Sequence, residues 1–430
     1  MNFCFAKLAV QVAVASAVFA FAGAASAADP IKIGVAGPFT GGSSSMGVSM
    51  RDGVRLAVEE INKAGGVIGR KLQVVERDDE AKNERGVQIA QELISKEKVT
   101  AAVGYINTGV ALASQRFFQE AKIPVMNNVA TGSIITRQFD KEPENYIFRN
   151  AAHDSIQAPM IVEEAITRRG FKKVAILADS TNYGQLGRED LEKALTAKGI
   201  KPVAVEKFNI KDVDMTAQLL KAKEAGAEAV LTYGIGPELA QIANGMTKLG
   251  WKVPMVGSWT LSMANYIDNA GPGGEGARMP QTFIQQPDTA KRKAFIEAYL
   301  KTFKPKNNRI DSPVSAAQGY DSIYLLAAAI KQANSTDGTK IKEALENLTT
   351  KVDGVVTTYD KPFSKDDHEA ITANIPVFGE VKQGKVVYAY AEDMKKGGDI
   401  RAKSAKAKAA AVAPAPAAAP APATAPAVKK

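Results

Sequence analysis

Two hydroxyl-bearing segments are candidates for holding a small anion. Asn107-Thr108-Gly109 links a β-branched run, Val99–Val103, to an amphipathic one, and Ala130-Thr131-Gly132-Ser133 follows the next such run, Pro124–Asn128. A hydroxyl placed where a strand hands over to a helix lies beside free backbone N–H groups and the positive end of the helix dipole. It can cap the helix, bind a carboxylate, or do both. Thr108 is placed for both roles. Ile106, Val129 and Ala130 flank these hydroxyls, and Tyr233-Gly234 sets an aromatic ring at the end of a further run, Ala229–Tyr233.

Most other chemistry lacks its residues. The single cysteine is Cys4, and the two histidines, His153 and His368, are far apart. Thiolate metal sites, cysteine nucleophiles and most histidine triads are thereby excluded, and no metal or cofactor is expected. Gly271-Pro272-Gly273-Gly274-Glu275-Gly276 fits a dinucleotide fingerprint in letters only. It follows no strand and opens no helix, so it reads as a turn. The acid pairs Glu59-Glu60 and Glu163-Glu164 are expected on solvated helix faces and Asp366-Asp367 in a polar loop, while His153-Asp154 reads as a satisfied cap or hinge at a helix start. An enzyme is not expected.

The elements that must position the hydroxyls alternate regularly. Ile31–Val35 reads as a buried strand, and Val54, Ala57, Val58 and Ile61 mark one face of a helix that Gly65-Gly66 ends. Strand Lys71–Glu76, helix Asn83–Glu97, strand Val99–Val103, helix Thr108–Lys122 and strand Pro124–Asn128 follow. The rhythm restarts after Arg149 with strands Val174–Ala178, Pro202–Phe208, Ala229–Tyr233 and Val253–Val256. Between them lie helices Ile156–Arg169, Gln185–Lys198, Met215–Ala225 and Pro237–Leu249. Single helices between strands imply parallel βαβ units, hence two α/β halves with doubly wound sheets. After Gly276 come a strand (Ala277–Ile284), three helices (Thr289–Phe303, Pro313–Gln332, Thr339–Asn347) and a hairpin, Val377–Tyr390, turning at Gln383-Gly384. That stretch is long enough to cross between the halves and finish both sheets, leaving a cleft at the crossings.

The chain has 430 residues, 55 Lys+Arg against 46 Asp+Glu, and a formal charge of +9. One positive charge, Lys7, belongs to residues 1–27, and six belong to residues 401–430, so residues 28–400 carry about +2. A nearly neutral body argues against a nucleic-acid partner. Residues 8–22 are apolar, preceded by Lys7 and followed by Ala25-Ser26-Ala27, the pattern of a cleaved secretory signal with the mature chain starting at Ala28. Residues 401–430 are half alanine with five prolines, an extended spacer that cannot bury enough apolar surface to order. Residues 396–430 are therefore expected to be a disordered Ala/Pro/Lys tail.

Several motifs together point to a family. Gly37-Pro38-Phe39-Thr40-Gly41, Gly47, the run Gly53-Val54-Arg55-Leu56-Ala57-Val58-Glu59-Glu60-Ile61-Asn62, Gly65-Gly66 and Gly69-Arg70-Lys71-Leu72 resemble the opening of the leucine/isoleucine/valine-binding proteins. The likeness continues through Val103-Gly104, Ile123-Pro124-Val125, Ala130-Thr131, Tyr183-Gly184 and Gly319-Tyr320-Asp321, and so covers residues 31–395. It implies a periplasmic type I binding protein of an ABC importer: two doubly wound parallel-sheet lobes joined by a multi-strand hinge and closing on a small ligand without catalysis. A permease in the inner membrane would be the partner and the working unit a monomer. Lobe 1 would comprise residues 28–149 plus 280–350, and lobe 2 residues 150–279 plus 351–395.

The resemblance also implies site residues. Thr108 and Thr131 match carboxylate-binding hydroxyls, Met46 falls where an aromatic lid often stands, and Tyr183 matches an aromatic that packs on the ligand. Trp259, in Gly257-Ser258-Trp259-Thr260, stands where amino-acid binders commonly carry a Glu that pairs with the ligand ammonium. A buried ammonium without a partner costs several kcal/mol, whereas an indole stacks readily on an apolar or aromatic body. The ligand is thus either an amino acid or an aromatic or aliphatic carboxylate without an amine. A sensory receptor on the same fold is the alternative to a transport component.

Overall fold

The computed structural model describes residues 29–395. The expected signal peptide and tail lie outside the described residues. The chain opens with β1 (Ile31–Gly37), α1 (Ser44–Lys63), β2 (Leu72–Asp78), α2 (Asn83–Ser95), β3 (Ala101–Gly104), α3 (Thr108–Glu120), β4 (Val125–Asn127) and β5 (Ile147–Arg149). These strands form an all-parallel sheet in the order β2-β1-β3-β4-β5. Strand β5 was not foreseen: three residues after a polar loop carry too short a pattern to read. Two of them, Ile147 and Phe148, are fully buried against the core.

The second run is α4 (Asp154–Val162), β6 (Val174–Asp179), α5 (Asn182–Ala197), β7 (Ala204–Phe208), α6 (Thr216–Glu224), β8 (Ala229–Tyr233), α7 (Gly236–Lys248), β9 (Met255–Gly257), α8 (Ala264–Ala270) and β10 (Arg278–Gln281). Its sheet reads β7-β6-β8-β9-β10, the same order as the first, with two further strands from the end of the described chain, Val377–Lys382 and Lys385–Tyr388, added as an antiparallel hairpin beyond β10. The helix foreseen over Ile156–Arg169 is α4 followed by a π-helical turn, Glu163–Arg168. Glu164, expected on a solvated face, is fully buried, and its carboxylate pairs with Arg278 at 2.7 Å and accepts from the Tyr390 hydroxyl at 2.7 Å. The wider helical turn leaves Glu164 facing the sheet rather than water.

The chain then supplies α9 (Ala290–Phe303), α10 (Pro313–Ala333), α11 (Gly338–Glu346), a small ladder β11 (Val352–Asp353) with β12 (Thr358–Tyr359), and the hairpin β13 (Val377–Lys382) and β14 (Lys385–Tyr388). Gln383 and Gly384 both have positive φ, 52° and 69°, the two-residue turn that matches strand twist. Helix α10 crosses α1 so closely that a Cβ on Gly53 would sit 2.0 Å from the Ala316 carbonyl oxygen. Helices α9, α10 and α11 therefore complete lobe 1. Residues 351–371 do so too, contrary to the expectation that 351–395 belong to lobe 2. Asp321 of α10 accepts from the Val355 and Val356 amides, and along the β5 edge the Arg149 amide donates to the His368 carbonyl while the Arg149 carbonyl accepts from the Ala370 amide. Strand β10, to Gln281, lies instead in the lobe 2 sheet, so the chain passes between lobes after Arg149, after Gln281 and before Val377.

Candidate functional site

In doubly wound sheets ligands bind beyond the carboxyl ends of the strands, where the strand order reverses. In lobe 1 this is the edge carrying the loops after β3 and β4. Asn107 stands just before α3 but makes no capping bond; its amide donates to Ser43 Oγ at 3.2 Å. Thr108 occupies the first turn of α3 and is 1% exposed. Its hydroxyl does not cap its own helix as anticipated, but accepts from the Gly132 amide at 3.2 Å. Gly132 is required there: a Cβ would fall 2.4 Å from the Thr108 methyl. Since Thr108 Oγ accepts that bond, its own proton is free for another acceptor.

Thr131 follows β4, buried, with an Oγ that has no hydrogen-bond partner. It lines a small cavity of about 10 Å³ together with Ala152, Gln157, Trp259, Thr282 and Gln318. Ile106, Val129 and Ala130 are buried beside the two loops. Met46, matched by the resemblance to a lid position, lies in the first turn of α1 and is packed in the core. The helix simply begins ten residues before its clearest apolar stripe, because small Ser and Gly residues mask its start.

From lobe 2, Tyr183 on α5 donates to Ser258 Oγ at 2.6 Å and meets Tyr233 edge-on, 5.4 Å between ring centres. Tyr233, the last residue of β8, is fully buried with an unpartnered hydroxyl. Burial first, then the nearby Asp154, hold its phenol well above the usual range, so it remains a donor. Trp259 opens the short turn after β9. Its amide donates to Gln157 Oε1 at 3.1 Å, its carbonyl accepts from Ser262 and Gln281, and its indole N–H has no partner.

Asp154 is the residue that sequence reasoning passed over. It begins α4 at the first crossing between lobes, is 0% exposed, and its Oδ2 has no partner, while Oδ1 has only the Gln157 amide at 3.4 Å. Burial pushes its carboxyl up to about 7, with the Asp190 charge adding to the rise and Arg149 opposing it. The Thr131 and Tyr233 hydroxyls lie near enough to favour its charged form, yet neither closes a hydrogen bond to it. A satisfied cap would look different. Four buried polar atoms, on Thr131 and Trp259 of the cavity wall and on Asp154 and Tyr233, which neighbour Thr131, thus have no partner, three of them donors and one an acceptor. Other described residues, Asp79 and Tyr105 among them, also carry unpartnered buried atoms; what sets Thr131, Asp154 and Tyr233 apart is that they neighbour one another at the crossing between the lobes.

A family model described as periplasmic binding protein matches residues 30–385. The chain is a periplasmic binding protein. Among curated relatives of this binding protein is the leucine-, isoleucine-, valine-, threonine- and alanine-binding protein of Pseudomonas aeruginosa, 31% identical over 77% of this chain and 86% of that one. Leu/Ile/Val-binding protein homolog 3 of Brucella melitensis is 30% identical over 77% of this chain and 86% of that one. Two solved structures share the two-lobed fold. A type 1 periplasmic binding protein from Bordetella pertussis has a TM-score of 0.76 at 29% identity, covering 84% of this chain and 99% of that one. The branched-chain amino acid transporter substrate-binding protein of Streptococcus pneumoniae, in complex with isoleucine, has a TM-score of 0.72 at 26% identity, covering 83% of this chain and 97% of that one. The family comprises substrate-binding proteins of ABC transporters, and among the described residues of this periplasmic binding protein no helix is long and apolar enough to cross a membrane.

Proposed function

We propose that this protein captures a small α-amino acid between its lobes and delivers it to an inner-membrane ABC permease. The observation that carries the reading is the unpartnered carboxyl of Asp154 beside the unpartnered hydroxyls of Thr131 and Tyr233. A ligand carboxylate satisfies the hydroxyls of Thr108 and Thr131, and a ligand ammonium satisfies Asp154. The acid that the family commonly carries at position 259 is replaced by one arriving from the hinge, and Trp259 supplies an N–H and an apolar ring instead. Relatives whose names specify leucine, isoleucine, valine, threonine and alanine support an aliphatic side chain. Closure then follows from differential affinity: the ligand bridges hydroxyls of lobe 1 to groups at the crossing and in lobe 2, and so favours the closed state.

The test is calorimetry on protein unfolded, freed of small molecules and refolded. Leucine, isoleucine, valine, alanine and threonine are titrated beside benzoate and 4-methylpentanoate, the latter being leucine without its amine. At least one amino acid should bind at micromolar concentration, and 4-methylpentanoate should bind at least 100-fold more weakly than leucine, because it leaves Asp154 unpaired. Equal or tighter binding of the amine-free acids overturns the reading. Uptake by a strain lacking the protein tests the transport role: amino-acid uptake at low concentration should be lost.

A further inference from the structure

The Thr131 loop is held by its carbonyls. Arg149, the last residue of β5 and 0% exposed, donates from Nη1 to the Gly132 carbonyl at 2.8 Å and to the Ala130 carbonyl at 3.4 Å. The Thr131 carbonyl between them accepts from the Asp154 amide at 2.9 Å. Three successive carbonyls are thus turned towards the first crossing, and the Thr131 side chain stands on the cavity wall. The remainder of the guanidinium is fixed by Glu369, which takes Nε at 2.8 Å and Nη2 on its other oxygen. Glu369 also accepts from the Thr136 hydroxyl and sits on the segment that pairs with the β5 edge. Burial opposes its charge, but the Arg149 guanidinium overrides this and holds the carboxyl down to about 2.

We propose that Arg149 and Glu369 are positioning residues for ligand binding, a fork-to-fork pair that aims the Thr131 hydroxyl and, through the Gly132 amide, the Thr108 hydroxyl. The chain of contacts runs from the returning segment at residue 369 through Arg149 to the Gly132 carbonyl, and from the Gly132 amide to Thr108 Oγ. The planar guanidinium is suited to this because it serves two carbonyls on one side and a carboxylate on the other, which an ammonium cannot do in one plane. The returning segment is therefore part of the binding apparatus although Glu369 does not itself line the cavity of Thr131 and Trp259. The inference rests on the reading of Thr131 and Thr108 as ligand-binding hydroxyls.

The test uses the full mature chain and the isosteric Glu369→Gln variant, with Arg149→Lys as a second. In the ligand-free protein, amide hydrogen exchange at residues 131–133 should accelerate about tenfold, as expected when a charge-assisted bond is weakened, while amides of β1 and β8 keep their rates. Affinity for L-leucine should fall by a similar factor. In the double variant Thr131→Val/Glu369→Gln the losses should sum to less than the two singles, because part of the Glu369 effect acts through the Thr131 hydroxyl. Unchanged exchange in both variants, a uniform acceleration throughout lobe 1, or additive losses would each overturn the positioning role. If leucine and the other amino acids fail to bind the unsubstituted protein, the functional reading fails, and the exchange pattern still decides whether Arg149 and Glu369 hold the loop.

Discussion

Asp321 and Asp154 are both fully buried carboxyls, and they behave as opposites. Asp321, on α10, accepts from the Val355 amide at 2.7 Å, the Val356 amide at 2.9 Å and the Tyr359 hydroxyl at 3.0 Å. Asp154 has one oxygen with no partner and two hydroxyls nearby that do not reach it. Burial raises both, to about 6 and about 7 respectively, and the three donors explain why Asp321 rises less. A buried acid whose lone pairs are filled from the chain fixes architecture, here the attachment of residues 354–359 to lobe 1. Under the proposed function, the open acid at the crossing between the lobes is instead kept for the ligand.

The largest expected effect would sharpen the architectural half. Asp321→Ala strands two amides and a hydroxyl, and should lower stability in urea by roughly 3–5 kcal/mol. Affinity measured on the folded fraction should not change. A loss of affinity without loss of stability would place Asp321 on the wrong side of the comparison.

Asp154→Asn should do the reverse. Removing the charge that meets a desolvated ammonium should weaken amino-acid binding by about 100-fold or more, read by calorimetry, while the ligand-free protein melts no lower. A fall in the ligand-free melting temperature, with affinity intact, would make Asp154 structural.

The sequence already contained the parallel strands, the two halves and the return crossings, because β-branched runs and amphipathic stretches of ordinary length signal these directly. It also placed Thr108, Thr131 and Tyr233 at strand ends or helix starts, whereas Tyr183 and Trp259 came from the family resemblance. Asp154 was visible only as an acid at a helix start, where a cap is the common reading. What distinguishes it is the absence of a partner, a property of packing around a crossing between lobes. Arg149 was hidden for the same reason: a charged residue ending a three-residue strand gives no pattern, and its partner Glu369 is 220 positions away. The assignment of residues 351–371 failed because their attachment depends on Asp321 and on the β5 edge, neither of which periodicity reveals.

Changing pH separates the two readings of the orphaned acid more gently. With Asp154 raised to about 7, the folded ligand-free protein keeps a proton that the unfolded chain loses above its ordinary value near 3.8. The stability contributed by this group is full below that ordinary value and is lost as pH rises towards 7. Asp154→Asn should therefore gain stability over the unsubstituted protein between pH 5 and 8. Binding runs the other way: an ammonium needs the ionised carboxyl, so affinity for leucine should rise by up to about tenfold per pH unit below 7, with proton release. Leucine affinity that falls over the same range would overturn the pairing of its ammonium with Asp154.

The smallest effect probes whether the same logic extends to a donor. The Trp259 indole N–H is buried and unpartnered, whereas its backbone amide and carbonyl are both bonded. Trp259→Phe keeps most of the ring and both backbone bonds but deletes the orphan. If the N–H meets the ligand, affinity should drop about threefold to tenfold, the worth of one neutral hydrogen bond. The ligand-free protein should at the same time become slightly more stable, because an unsatisfied buried donor has been removed at the cost of only a small loss of packing. Opposite signs in the two measurements are the signature of an atom kept open for a ligand. Two losses together would instead assign Trp259 to packing, and would leave Asp154, Thr108, Thr131 and Tyr233 as the polar groups that meet the ligand.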